Sequence, residues 1–272
     1  MPPSIDTQLS SLAAIVCYGV ALVLLSRRIS HETFHPGPFA WTGIGLGMVM
    51  HFGAIWSAIS QPTGLDLELI NALNVMLLVM TLFVTMASAR LPVAILLLAL
   101  LPLDILALVW RLLSNADAST FKPVDTGTLP HVIVSMIAGS VLLLAFLQAL
   151  FLRGVEKHLK ARTRTNWLRH VPALESMESL LFAAIWAGLG LFVLGILSGF
   201  LYLDDMFAQR LVHHTILLSA AALGYVILLV GRYQFGWRGT TASRWVLGAT
   251  ALLVLGYFGS KFVLEVLLGN GT

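Results

Sequence analysis

The sequence predicts an all-α, polytopic membrane protein: one integral membrane domain, residues 1–272, with eight transmembrane helices bundled together and both termini outside. Three observations predict it. The 272 residues are 58% hydrophobic and 11% charged. Soluble domains carry about 25% charged residues, so this chain could not cover a water-facing surface. The apolar residues gather in eight runs, at about 9–25, 39–59, 69–89, 91–110, 131–152, 179–203, 214–230 and 245–268. Each is near the roughly 20 residues a helix needs to cross a hydrocarbon core of about 30 Å. None alternates as a β-barrel strand does, so helices must satisfy the backbone in lipid.

The run at 9–25 has the length of a signal peptide. Its leading segment MPPSIDTQLSS holds no Lys or Arg, and Arg27 and Arg28 follow the run instead. That order is reversed for a cleaved signal, so the run reads as a retained span. Only Arg90 separates the third run from the fourth. Their combined length of about 40 residues is too long for one span, and Pro92 suits the first turn of a new helix, so a tight hairpin is expected.

Loop charge gives the orientation. Numbered in order, one alternating set of connections holds Arg27, Arg28, Arg90, Arg153, Lys157, Lys160, Arg162, Arg164, Arg169, Arg232, Arg238 and Arg244, twelve of the 16 basic residues. The opposite set holds Arg111, Lys122 and Arg210, and Lys261 lies within the eighth run. The positive-inside rule places the first set in the cytoplasm. Arg153 to Arg169 reads as the longest cytoplasmic loop, an anchor on anionic lipid headgroups. The net charge of +3 is explained by these loops, and no nucleic-acid partner is expected.

Several function classes lack their residues. The one cysteine, Cys17, can make no internal disulfide, and there is no C-x-x-C or C-x-x-C-H. H-E-x-x-H, G-x-S-x-G and a P-loop are also missing. No catalytic residue is identified, and enzymatic activity is not expected.

The informative polar residues fall in depth order. His131 opens the fifth run, and His213 with His214 opens the seventh, all at the outer end. His51 is twelve residues into the second run, about 18 Å from its cytoplasmic end and just past the midplane. Asp104 lies in the outer half of the fourth run, within reach of Arg111 or of Lys261 as a partner. Lys261 and Glu265 are spaced to pair along the eighth helix. His31, His35, His158 and His170 fall in cytoplasmic loops and read as surface residues.

Burying ionisable groups in lipid costs roughly 2.5–3.5 kcal/mol each, so such residues should face one another or a cavity. Each histidine alone could be an ordinary interfacial residue. Three helices that each offer one in the outer half point to a shared site. Neutral imidazole at this depth suits a haem iron or a transition metal. Arg111, Lys122 or Arg210 could meet the haem propionates.

The segment GRYQFGWRG (231–239), the last helix with LGYFGSKFVLEVLL, a fifth helix opening LPHVIVSM, and a histidine just before the seventh helix together carry a resemblance. The chain resembles the YpjD-type bacterial inner-membrane proteins of the wider cytochrome c assembly family, which includes CcsA and HemX. The resemblance spans the whole chain and is most specific in its last third. It implies a multi-pass protein of the bacterial inner membrane that presents haem at the outer face. It also implies His131 as the leading haem ligand and cytochrome c assembly components as partners beside membrane lipids. CcsA carries a tryptophan-rich segment before the seventh helix. Here that region reads LYLDDMFAQRLVHH, with no tryptophan. CcsA also has a histidine where this chain has Arg232, so the resemblance carries over no lyase or exporter activity.

The expected function is therefore binding or positioning haem near the outer face, with His131 as axial ligand to the iron and His51 and His213 as candidate partners. Two other classes stay open. One is a membrane scaffold or accessory subunit docking through the basic 153–169 segment. The other is a transporter with a polar outer vestibule around Asp104, Lys261 and Glu265.

Overall fold

The computed structural model describes residues 5–28, 36–61, 64–114, 128–161, 173–202 and 212–259. Eight helices in it are long and apolar enough to cross a membrane. In order they are α1 (Ile5–Arg28), α2 (Pro38–Ile59), α3 (Leu69–Ala87), α4 (Leu97–Leu113), α5 (Leu129–Lys160), α6 (Leu174–Tyr202), α7 (Val212–Phe235) and α8 (Gly239–Val254). The all-α, eight-span architecture is the one the sequence predicts. Between α2 and α3 a two-rung antiparallel ladder pairs Ser60 with Leu65 and Gln61 with Gly64. The helices cluster as two compact units, α1–α4 and α5–α8.

In the first unit α1 packs on α2 and α4, and α3 packs on α4 and α2. Lipid is as apolar as leucine, so helices associate here through close packing and polar contacts. On α2, Ala40, Ile44, Gly47, His51, Ala54 and Ile55 turn inward. Phe39, Leu46, Val49, Phe52 and Trp56 are exposed, where hydrocarbon would meet them. Gly47 is required because the Tyr18 ring of α1 crosses it: a Cβ there would fall 2.5 Å from two ring carbons. Tyr18 is itself fully buried and cannot withdraw. Gly47→Val is expected to cost about 1–3 kcal/mol through overpacking, visible as a lower unfolding temperature in detergent.

The hairpin between the third and fourth spans differs in detail from expectation. Helix α3 stops at Ala87, residues 88–93 form the turn, and a single 3-10 turn at Ala94–Leu96 leads into α4. Pro92 thus sits in the turn ahead of the helix. A proline disfavours helical geometry at the residue before it, which keeps Leu91 in the turn. Further along, Pro102 lies inside α4.

In the second unit α5 packs on α6 and α8, and α7 packs on α8 and α6. The basic segment expected as a loop from Arg153 is helical through Lys160. Its residues are good helix formers, and Lys157 and Lys160 favour the negative end of the helix dipole. Leu152 and Val155 are buried on the same helix, which holds that extension in place. Residues 162–172 lie outside the described set.

Helix α8 begins at Gly239, well before the apolar run at 245, because GRYQFGWRG is a built turn. Gly236 and Gly239 have φ of 65° and 53°, a region open to glycine and strained for other residues. The Trp237 N–H donates to the Gly231 carbonyl at 3.2 Å. Its ring stacks between Phe235 and Trp245 at centroid distances of 6.1 and 5.5 Å. Glu178 of α6 closes the structure. Its Oε1 accepts the Gly239 N–H at 2.8 Å. Its Oε2 lies 3.3 Å from Arg238 Nε and 3.7 Å from Arg232 Nη1. The Arg232 guanidinium also stands 4.6 Å over the Phe182 ring. Arg232 is therefore a structural cation tying α6 to α7.

Candidate functional site

Two polar clusters stand out, one in each unit. In the second, His131 lies in the first turn of α5, following Pro130. A proline at this position costs no helical hydrogen bond, because the first N–H groups have no intrahelical acceptor. The histidine is half-buried against α6. Its Nδ1 is 2.9 Å from the Gly195 carbonyl and 3.0 Å from Ser198 Oγ. The Ser198 hydroxyl itself donates to Gly195 O at 2.8 Å. A carbonyl can only accept, so Nδ1 carries the hydrogen and the neutral ring leaves its lone pair on Nε2. Among the described residues Nε2 has no hydrogen-bond partner. Gly195 permits the approach: a Cβ there would lie 3.1 Å from Ser135 Oγ of α5.

In the first unit each helix contributes to a buried cluster. Tyr18 of α1, His51 of α2, Asn74 and Thr81 of α3, and Asp104 of α4 are all fully buried. His51 Nδ1 is 3.3 Å from Tyr18 Oη and 3.7 Å from Asp104 Oδ1. Its Nε2 is 3.2 Å from Asn74 Oδ1. Thr81 donates to Asp104 Oδ2 at 2.6 Å. Asp104 Oδ1 has no hydrogen-bond partner among the described residues.

The structure thus pairs Asp104 with Thr81 and His51, where the sequence offered Arg111 or Lys261. Arg111 instead donates to Asn71 of α3. At seven residues beyond Asp104, it lies about 10 Å further along α4, at the depth of the α3 start. Both nitrogens of His51 face partners inside the unit. A metal ligand needs one nitrogen open, and neither nitrogen of His51 is.

The remaining expected site residues are only partly described. His213 lies in the first turn of α7, at the same end of the second unit as His131, and its side chain is outside the described residues. Lys122, Arg210, Lys261 and Glu265 also lie outside them. His158 sits in helical α5, with Nδ1 2.8 Å from Gly154 O. Among the described residues no three His, Cys, Asp or Glu side chains converge on a metal-sized site. A haem iron asks less of the protein, since one or two axial nitrogens suffice.

Tyr18, Thr81, Gly195 and Ser198 escape a reading of the sequence, because each acts through a partner on another helix. A signal for the first cluster does exist. Asn71, Asn74, Thr81, Thr85 and Ser88 recur at helical spacing along α3, a polar face in an apolar span.

Comparison with known proteins agrees with this architecture. Residues 45–268 match the family described as cytochrome C assembly protein. The chain is 25% identical over 259 residues to the inner membrane protein YpjD of Escherichia coli K12, covering 94% of this chain and 98% of that protein. It is 33% identical over 141 residues to an uncharacterized 28.8 kDa protein of the nifR3-like 5' region in Azospirillum brasilense, covering 51% of this chain and 52% of that protein. No solved structure matches.

Proposed function

The chain belongs to the cytochrome c assembly protein family, and from that premise we propose that it binds or positions haem near the outer face of the inner membrane, with His131 as the residue that would hold the iron. It is a multi-pass inner-membrane protein. In the second unit Arg153, Lys157, Lys160, Arg232 and Arg238 lie at the end of the helices opposite His131, the end that the positive-inside rule assigns to the cytoplasm.

The observation that carries the reading is the fixed tautomer of His131. Metal-ligating histidines donate their other ring N–H to a carbonyl or carboxylate, which orients the ring and raises its basicity. His131 has that arrangement through Gly195 O, with Ser198 Oγ beside it. When bound, haem would supply the redox and ligand chemistry of its iron. The protein's part is to orient Nε2, to hold the Nδ1 hydrogen on α6, and to offer apolar helix faces around the ring. His213 is the candidate second ligand from α7.

The purified protein, titrated with haem, is expected to develop a Soret band. His131→Ala should abolish it, and Ser198→Ala should weaken haem affinity by about tenfold, the lower end of the range for lost outer-shell partners. A wild-type spectrum with no Soret band after haem addition would sink the proposal.

A further inference from the structure

The cluster in the first unit is independent of haem. Asn71, Asn74, Thr81 and Thr85 share one face of α3, and Ser88 continues it at the helix end. From Asn71 to Ser88 this stripe spans about 25 Å at 1.5 Å per residue. Amides occupy one end and hydroxyls the other. The Asp104–His51 pair stands between them.

The hydrogens on His51 follow from Asn74. The Asn74 amide nitrogen is committed to two carbonyls, Ile70 O at 2.8 Å and Ala107 O at 3.4 Å. Its oxygen therefore faces His51 Nε2, and that nitrogen must carry a hydrogen. Nδ1 is left as the nitrogen that can gain or lose one. It faces Tyr18 Oη at 3.3 Å and, at 3.7 Å, Asp104 Oδ1, the carboxyl oxygen without a hydrogen-bond partner among the described residues. Two lone pairs opposed in a buried site repel, and one proton between them converts the repulsion to attraction. With that proton the pair has no net charge, as a group buried among apolar helices requires. The other titratable group on the pair is Tyr18 from α1. The described part of α3 brings none, and the guanidinium of Arg111 is engaged with Asn71.

We propose that Asp104 and His51 form a proton-binding site within the membrane, entered along the hydroxyls of Ser88, Thr85 and Thr81 and closed beyond His51 by Asn74. A hydroxyl both donates and accepts, so it can pass a proton on, whereas the Asn74 amide is fixed by its two carbonyls. Ser88 is half-buried at the chain turn, and its hydroxyl, donating to Val84 O at 2.6 Å, must rotate to take part. Thr85 Oγ1 is buried with no partner among the described residues, one helical turn from Thr81. Thr81 touches Asp104 directly. The proton rests on Asp104 Oδ1. Its transfer to His51 Nδ1 breaks the O–H bond, forms an N–H bond, and leaves a carboxylate beside an imidazolium with the net charge unchanged.

Infrared spectroscopy of the full-length protein in lipid nanodiscs tests this. A protonated-carboxyl band that shifts in D2O is expected, and Asp104→Asn should remove it. Thr85→Val is nearly isosteric and should keep the band while slowing its deuteration at least tenfold. A carboxyl spectrum unchanged by Asp104→Asn overturns the site, and unchanged deuteration in Thr85→Val overturns the route. Imidazole nitrogen-15 NMR of the unaltered protein adds a readout that no folding defect can blur. His51 should keep a hydrogen on Nε2, and one found only on Nδ1 would overturn the proposal.

Discussion

His51→Leu is expected to destabilise the first unit by about 2–6 kcal/mol, the cost of leaving two buried polar groups without a partner. The leucine fits the volume, so packing is not the cause. Tyr18 Oη and Asn74 Oδ1 would each lose a partner, at about 1–3 kcal/mol for a buried group left unsatisfied. Asp104 would keep Thr81 and lose the His51 nitrogen that faces it. The double variant His51→Leu/Asp104→Leu removes both members of the pair and should recover part of the loss, since replacing both partners of a buried polar contact by apolar groups can be near neutral. Unfolding temperature in detergent, with haem absent, measures both. A double variant no more stable than His51→Leu would show that the pair is not coupled.

Glu178→Ala carries the second large effect. One carboxylate holds the Gly239 N–H and faces both Arg232 and Arg238. Its loss removes an anion from the start of α8 and leaves two guanidiniums close together. The charge-assisted hydrogen bond alone is worth about 1.5–3 kcal/mol when partly buried. Arg238 is more than half exposed, so water screens its pairing and adds little. A total loss of about 2 kcal/mol is expected. Glu178→Gln keeps an acceptor for Gly239 and should recover roughly half of it. Thermal unfolding followed by Trp237 and Trp245 fluorescence reports on this turn directly. Equal stability of wild type and Glu178→Ala would mean that the glycines and stacked aromatics hold the turn alone.

Much of the fold was legible because lipid imposes simple demands. Hydrophobic runs of spanning length give the helix count, and each run holds one long helix among the described residues. Helix ends were less legible. Composition places a span where apolar residues stop, but α5 continues through charged residues on its own propensity, and α8 starts early because Glu178 reaches its first N–H. The place of His131 at a helix start was legible, since it is a matter of chain order. Its tautomer was not, since Gly195 and Ser198 lie more than 60 residues away.

The sequence alone determined that this protein crosses the membrane eight times and belongs among the cytochrome c assembly proteins. It also placed its histidines at chosen depths. Tertiary structure decided which polar atoms meet. It gave Asp104 to Thr81 and His51, Arg111 to Asn71, and Arg232 to Glu178. The physical reason is that depth follows from distance along one helix, at a fixed rise per residue. Pairing depends on how helices are rotated against one another, and that is set by small contacts such as Gly47 under the Tyr18 ring.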